Sequence, residues 1–317
     1  MIAQSIRGHL EECSFMLRQS GIKDAELDAR LLLQHVIGCG HGELISRYSN
    51  ELPATEAEVH LALVRRRAGG EPVFRIIGQR EFHGNLFQIG PDVLDPRPET
   101  ELLVDEIVAD VDTNAELHFA DLGTGSGAIG VSLLKLLPRS NCTAIDISQA
   151  ALEIASSNAI QNDVAIRFDA VQSDFFAALD EVFDFIVSNP PYIRKSEMGK
   201  LDVEVRLHDP LIALDGGTDG LDAYRAIFSN ADKYLRTNGK IYVEIGADQL
   251  DSCAELAENL GWNVVRSKKD YAGLPRILVF ERAENQSRQQ DVHNVRRKSL
   301  ESGIEPDSFM DVQGQRL

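Results

Sequence analysis

The rhythm of hydrophobic positions changes once along this chain, near Glu99. From Ile2 to about Arg67 apolar residues recur at helical spacing, as in Leu27, Leu31, Leu32 and Val36, then Val59, Leu61, Leu63 and Val64. Turn signals at Gly21, Gly38-Cys39-Gly40 and Leu52-Pro53 divide this stretch into four or five predicted helices. After Pro53, Thr55 and Glu56 supply the hydroxyl and early carboxylate expected where a helix begins. Glu81 to Ile89 alternates around Gly84-Asn85, which predicts a hairpin, and Pro91, Pro96 and Pro98 punctuate the linker after it. Beyond Glu99, short apolar runs alternate with amphipathic helices. The runs are Leu117–Asp121, Cys142–Asp146, Ala165–Val171, Phe183–Ser188, Lys240–Ile245, Trp262–Ser267 and Arg276–Glu281. Seven strands with interleaved helices predict an α/β fold with a largely parallel, doubly wound sheet. The last two strands are too close for a parallel crossover and should pair antiparallel. The expected organisation is a helical domain over 1–80, a hairpin linker over 81–98, an α/β domain over 99–283 and a disordered or interacting tail over 284–317.

Composition narrows the functional classes. The chain has 317 residues, 43% of them hydrophobic, enough for a substantial core. No run is long enough to span a bilayer, and the interrupted apolar stretch at the N-terminus does not read as a signal peptide, so a cytoplasmic protein is expected. Cys13, Cys39, Cys142 and Cys253 lie far apart without a CxxC pair and read as buried thiols, and Cys39 with His41 is too little for a metal site. With 32 basic and 50 acidic side chains the formal net charge is −18, which opposes indiscriminate nucleic-acid binding. Arg65-Arg66-Arg67 forms a local basic patch or a solvated helix face.

Two segments carry candidate chemistry. Asp121-Leu122-Gly123-Thr124-Gly125-Ser126-Gly127 follows the first apolar strand and precedes the helix from Ala128, where glycines let a ligand touch backbone. Asp146 ends the next strand, as a ribose-binding acid would, or else caps a helix with Ser148. This loop alone does not separate NAD from S-adenosylmethionine. Asn189-Pro190-Pro191-Tyr192 leaves the fourth strand with two backbone donors removed and a restricted shape, a rim suited to a planar amide or amine. It offers no proton-handling group for hydride transfer, and Asp121 suits a cationic aminoacyl tail better than a pyrophosphate, so methyl transfer is the expectation.

Together these segments resemble the protein-glutamine N5-methyltransferases, specifically those acting on the Gly-Gly-Gln loop of bacterial peptide chain release factors. Further matching segments are Glu71-Pro72, Gly78-Gln79-Arg80-Glu81-Phe82, Pro96-Arg97-Pro98-Glu99-Thr100-Glu101, Ser173-Asp174, Ala213-Leu214-Asp215-Gly216-Gly217 and Gly273-Leu274-Pro275-Arg276. The resemblance covers about residues 1–283 and implies a Rossmann-like, seven-stranded methyltransferase domain with a small N-terminal helical domain. It also implies S-adenosylmethionine as donor, no metal, and release factors as protein partners. The donor is expected at Asp121, Gly123, Thr124, Gly125, Ser126, Gly127, Asp146, Phe175 and Asn189. Relatives often carry tryptophan where this chain has Phe175, which keeps an apolar face and lacks the indole donor. The substrate glutamine is expected at Asn189, Pro190, Pro191 and Tyr192, with Asn189, Pro190 and Tyr192 carrying the catalytic role. The Asn189 side-chain oxygen and Pro190 carbonyl would accept the two amide N–H bonds, and Tyr192 would pack on the amide plane. Rival readings are a ribosomal-protein glutamine methyltransferase, a nucleic-acid amino-methyltransferase, a non-catalytic adaptor and an NAD oxidoreductase.

Overall fold

A computed structural model describes residues 5–283, so the tail over 284–317 lies outside the described residues. The chain opens with five helices, α1 (Ile6–Gln19), α2 (Ala25–Ile37), α3 (His41–Ser46), α4 (Ala54–Ala68) and α5 (Val73–Ile77). Helix α1 starts where the Ser5 hydroxyl accepts the Gly8 N–H and buries Ile6, Leu10, Cys13 and Leu17 on one face. The buried face of α2 is Ala25, Ala29, Leu32 and Leu33, while Leu27 and, on α4, Val59 are exposed. Leu31, Leu32, Leu61, Leu63 and Val64 pack into the helical core, and two polar side chains also take inward positions on α4. His60 is held by the Ala29 carbonyl, and the Arg67 guanidinium lies 2.6 Å from Asp28. Thr55 forms no cap either, since α4 begins directly after Pro53, which already has the φ that a helix start needs.

Strands β1 (Gln79–Phe82) and β2 (Asn85–Gln88) form the hairpin. Its turn is His83-Gly84, both at positive φ, one residue earlier than the Gly84-Asn85 pair suggested. Phe82 and Phe87 are fully buried and meet edge to face at 6.0 Å within a core cluster of the α/β part. Burying each side chain stabilises by about 1.5–3 kcal/mol, so the hairpin is fastened to the sheet it precedes.

The remaining elements are α6 (Glu101–Asp110), β3 (His118–Leu122), α7 (Ala128–Leu136), β4 (Asn141–Asp146), α8 (Gln149–Gln161), β5 (Phe168–Gln172), β6 (Phe183–Ser188), α9 (Val203–His208), α10 (Asp222–Asn230), β7 (Leu235–Glu244), α11 (Leu250–Asn259), β8 (Trp262–Lys269) and β9 (Pro275–Arg282). The seven large-sheet strands lie in the order β5-β4-β3-β6-β7-β9-β8. All neighbours pair parallel except β9, which runs antiparallel between β7 and β8. Residues Ala165–Arg167 form a single 3-10 turn before β5, and β7 begins at Leu235, ahead of the predicted run. The chain steps outward from β3 to β5 and then returns to β6, on the other side of β3. Such a reversal opens a crevice at the carboxyl ends of the two strands. The register pairs Leu122 with Ser188, and the Ser188 hydroxyl donates to the Leu122 carbonyl at 2.7 Å. Gly123 and Asn189 therefore leave the sheet side by side.

Candidate active site

The crevice holds a cavity of about 460 Å³, walled by the loop Gly123 to Ser126, by Asp146 and Phe175, and by Asn189, Pro190 and Pro191. That volume is within the range of small-molecule sites. Thr100, Arg97 and Pro96 also line it, and Ile212 and Ala213 border it after α9.

The glycine side is built mainly from backbone. Gly127 caps α7 at φ 78, and a Cβ there would stand 3.1 Å from the Ala155 Cβ, so glycine lets the loop rest on α8. Asn158 on α8 donates to the Ser126 carbonyl at 2.8 Å and to the Gln88 carbonyl at 2.9 Å, tying loop, helix and hairpin together. Asp146 accepts the Gly125 N–H through Oδ2 and the Ser148 N–H through Oδ1, both at 2.9 Å. The α8 cap itself is the Ser148 hydroxyl, which accepts from Ala151. Asp146 thus braces two turns and still lines the cavity, with lone pairs left to accept from a ligand.

Asp121 is set back from the cavity. Its side chain is fully buried and lies outside the cavity wall, with Oδ2 accepting from the Thr124 hydroxyl at 2.7 Å and the Gly130 N–H at 3.1 Å. Burial pushes its carboxyl up to about 6. Through Oδ2 Asp121 holds the loop's shape from behind, while its buried Oδ1 has no hydrogen-bond partner. Phe175 does line the cavity, at φ 47, a left-handed backbone that a side-chain-bearing residue adopts only at a cost of about 1–2 kcal/mol.

The Asn189 side is built from side chains drawn from distant segments. Asn189 Nδ2 donates to Thr100 Oγ1 at 3.1 Å, and the Thr100 hydroxyl donates to Glu244 Oε2 at 2.6 Å. Glu244 ends β7 and is 2% exposed, and burial pushes its carboxyl up to about 7. Tyr192 stands outside the cavity wall, packed beside the second core cluster, with its hydroxyl 3.4 Å from Glu244 Oε1. Burial and the Glu244 carboxylate raise its phenol well above the ordinary tyrosine value. The structure therefore brings Asn189, Pro190 and Pro191 to the wall and sets Tyr192 behind it.

Behind the same side, Asp209 accepts from Arg75 at 3.1 Å and from Arg97 at 2.7 Å, and Arg75 also pairs with Asp95 at 2.9 Å. The Arg75, Asp95 and Asp209 side chains are nearly fully buried, and they fasten the helical segment to the cavity border. Arg75, Asp95 and Glu244 did not stand out in the sequence. The available signal was indirect: Thr100 and Arg97 belong to the Pro96–Glu101 motif, and Asp209-Pro210 is a conspicuous pair in an otherwise unassigned stretch. A cluster of metal-ligating types, His9, Cys13 and His60, also went unseen because His60 on α4 is distant in sequence from the other two on α1. It lies outside the cavity wall, and its imidazoles bond to each other at 2.9 Å and onward to the Ala29 carbonyl at 2.8 Å.

Comparison with known proteins adds family context. The PrmC N-terminal domain family matches residues 9–78, and the methyltransferase small domain family matches residues 93–212. The chain is 41% identical over 270 residues to the release factor glutamine methyltransferase of Agrobacterium fabrum, covering 84% of this chain and 93% of that protein. It is likewise 41% identical to the protein of that name from Bradyrhizobium diazoefficiens, covering 87% of this chain and 94% of the relative. Among solved structures, the hMettl16 catalytic domain in complex with a 3′UTR hairpin superposes with a TM-score of 0.51 at 17% identity, over 69% of this chain and 81% of that one. That likeness concerns the fold alone.

Proposed function

The chain belongs to the family of release factor glutamine methyltransferases and is an S-adenosylmethionine-dependent methyltransferase, and from that premise we propose how its cavity divides the work. The donor occupies the glycine side, and the Asn189 rim presents the side-chain amide of the glutamine in a release factor's Gly-Gly-Gln motif. The observation that carries this reading is a shared cavity walled on one side by Gly123 to Ser126 and on the other by Asn189 to Pro191.

The residues present fit such a donor. A Cβ built at Gly123 or Gly125 meets nothing closer than 4.0 Å, so the loop leaves open space beside its backbone. Asp146 has lone pairs for ribose hydroxyls, and Phe175 offers an apolar face for adenine. When bound, S-adenosylmethionine supplies a methyl group on an electrophilic sulfonium.

The chain's own task is the acceptor. A glutamine amide nitrogen is a poor nucleophile because its lone pair is delocalised into the carbonyl. The Asn189 Oδ1 and the Pro190 carbonyl accept its two N–H bonds, fix its direction of attack and stabilise the positive charge that develops there. The nitrogen gains a methyl and sheds one proton to water, a proton that becomes acidic only as the new bond forms. Tyr192 supports the rim through its contact with Glu244 rather than by covering the amide. The helical segment over α1 to α5, joined to the cavity border through Arg75 and Asp209, contacts the body of the release factor. Exposed Leu207, Leu211 and Ile212 next to the cavity extend that surface. A cytoplasmic location and the absence of a nucleic-acid substrate belong to the same reading, in keeping with the net charge of −18.

The test is mass spectrometry of unmethylated full-length release factor incubated with the protein and S-adenosylmethionine. One methyl on the amide of the Gly-Gly-Gln glutamine is expected. A methyl elsewhere, or an unmodified peptide from protein that binds the donor, overturns the reading and redirects it to ribosomal-protein or nucleic-acid acceptors.

A further inference from the structure

An asparagine amide can recognise another amide's N–H groups only if its oxygen, and not its NH2, faces the partner. Nothing in Asn189 itself makes that choice. We infer that Thr100 and Glu244 are positioning residues that lock the Asn189 amide with Oδ1 toward the acceptor, by means of a one-way chain of hydrogen bonds. The inference rests on the reading of Asn189 as the residue that receives the glutamine.

The direction of the chain follows from counting protons. An ionised carboxylate can only accept, so the bond between Thr100 Oγ1 and Glu244 Oε2, 2.6 Å long, uses the single proton of the threonine hydroxyl. Thr100 then has only lone pairs for Asn189, and the group 3.1 Å away must be the donor Nδ2. Oδ1 is left for the cavity that Asn189 lines. Thr100 is 4% exposed and Glu244 2%, so solvent does not compete for either bond. These two residues lie 144 positions apart, on the segment before α6 and at the end of β7.

Protonation of Glu244 removes the one-way character. A neutral carboxyl can donate to Thr100, whose hydroxyl then turns to donate to Asn189, and the amide rotates to offer its oxygen inward and its NH2 to the cavity. A donor then faces the donors of the substrate amide. The groups around Glu244 decide where this happens. The Thr100 and Tyr192 hydroxyls and the Arg276 guanidinium of β9 favour the ionised form. Burial, the largest influence, and Glu99 oppose it, with the result that the carboxyl titrates at about 7. Arg276 is itself held by Asp270 at 2.9 Å, and the Tyr224 hydroxyl donates to the Glu244 backbone carbonyl at 2.8 Å, leaving the carboxylate to its other partners. Because the competent form is ionised, turnover rises as pH increases through this value and falls below it.

The experiment compares wild-type protein with Thr100→Val and Thr100→Ser, methylating full-length release factor across about pH 5.5 to 8.5. Valine keeps the shape and cuts the chain; serine restores the hydroxyl. The expected result is a loss of kcat of about tenfold or more for Thr100→Val, with the Kd for S-adenosylmethionine by calorimetry within about twofold of wild type. The wild-type acidic limb near pH 7 disappears in Thr100→Val and persists in Thr100→Ser, which recovers most of the turnover. Thr100→Val with wild-type kcat and an intact acidic limb overturns the inference. So does equal impairment of both variants with a matching fall in Tm, which assigns Thr100 a role in folding only. Wild-type protein that binds donor but methylates no release factor refutes the functional reading itself, and the inference falls with it.

Discussion

The two walls of the cavity are made by different means. The glycine wall comes from one contiguous segment, Gly123 to Ser126, and its main side-chain brace, Asp146, ends the adjacent strand. The Asn189 wall depends on residues from four separated stretches: Thr100, Asn189, Asp209 and Glu244, with Arg75 of α5 behind them. A ligand that many enzymes share can be gripped by backbone in a fixed local turn. An acceptor amide needs one side chain held in one orientation, and a low-dielectric network of partners provides it.

If the walls are separable, damage to one should spare the other. The largest effect is expected from Asp209→Ala, which leaves buried Arg75 with Asp95 as its remaining carboxylate, takes the carboxylate from Arg97, and should lower unfolding free energy by about 3 kcal/mol in denaturant titrations. Protein that remains folded should still bind S-adenosylmethionine, because no partner of Asp209 braces the glycine loop. Next comes Asn189→Ala, expected to reduce single-turnover methylation by roughly 10²–10³-fold while leaving donor affinity within about twofold. A parallel loss of affinity would break the comparison. Gly216→Ala probes the same wall indirectly. A Cβ there would stand 2.8 Å from the Tyr192 backbone, so the rim must shift, and turnover should fall by up to about 10²-fold with little change in donor Kd. The smallest effect belongs to the other wall: Asp146→Ala should weaken donor binding about tenfold in calorimetry, from the loss of charge-assisted hydrogen bonds.

The same contrast explains what could be read from sequence. The strands of the large sheet were legible because their buried runs are apolar and bounded by turn residues, and the antiparallel end followed from connection length. The glycine loop was legible because its positions are consecutive. Sequence places Asp121 next to the ligand loop without saying which way its side chain turns; its Oδ2 partners Thr124 and Gly130 set it behind the loop. The direction of Tyr192 is equally silent in sequence: it is adjacent to the rim, and the structure turns its hydroxyl toward Glu244. In the helical segment, inward-facing His60 and Arg67 carry their own partners, so apolar spacing alone does not name every buried position. Glu244 gives no local signal and Thr100 only its place in the Pro96–Glu101 segment, because their pairing exists only once β7 and the segment before α6 meet. Orientation and long-range pairing are what a linear pattern leaves out.

The most direct test of separable walls is single-turnover methylation of full-length release factor by Asn189→Ala and Asp146→Ala, each at rising S-adenosylmethionine up to saturation. Saturating donor should restore Asp146→Ala to near wild-type rate and leave Asn189→Ala slow. If saturation rescues both variants, or neither, the two walls do not act separately and the account is contradicted.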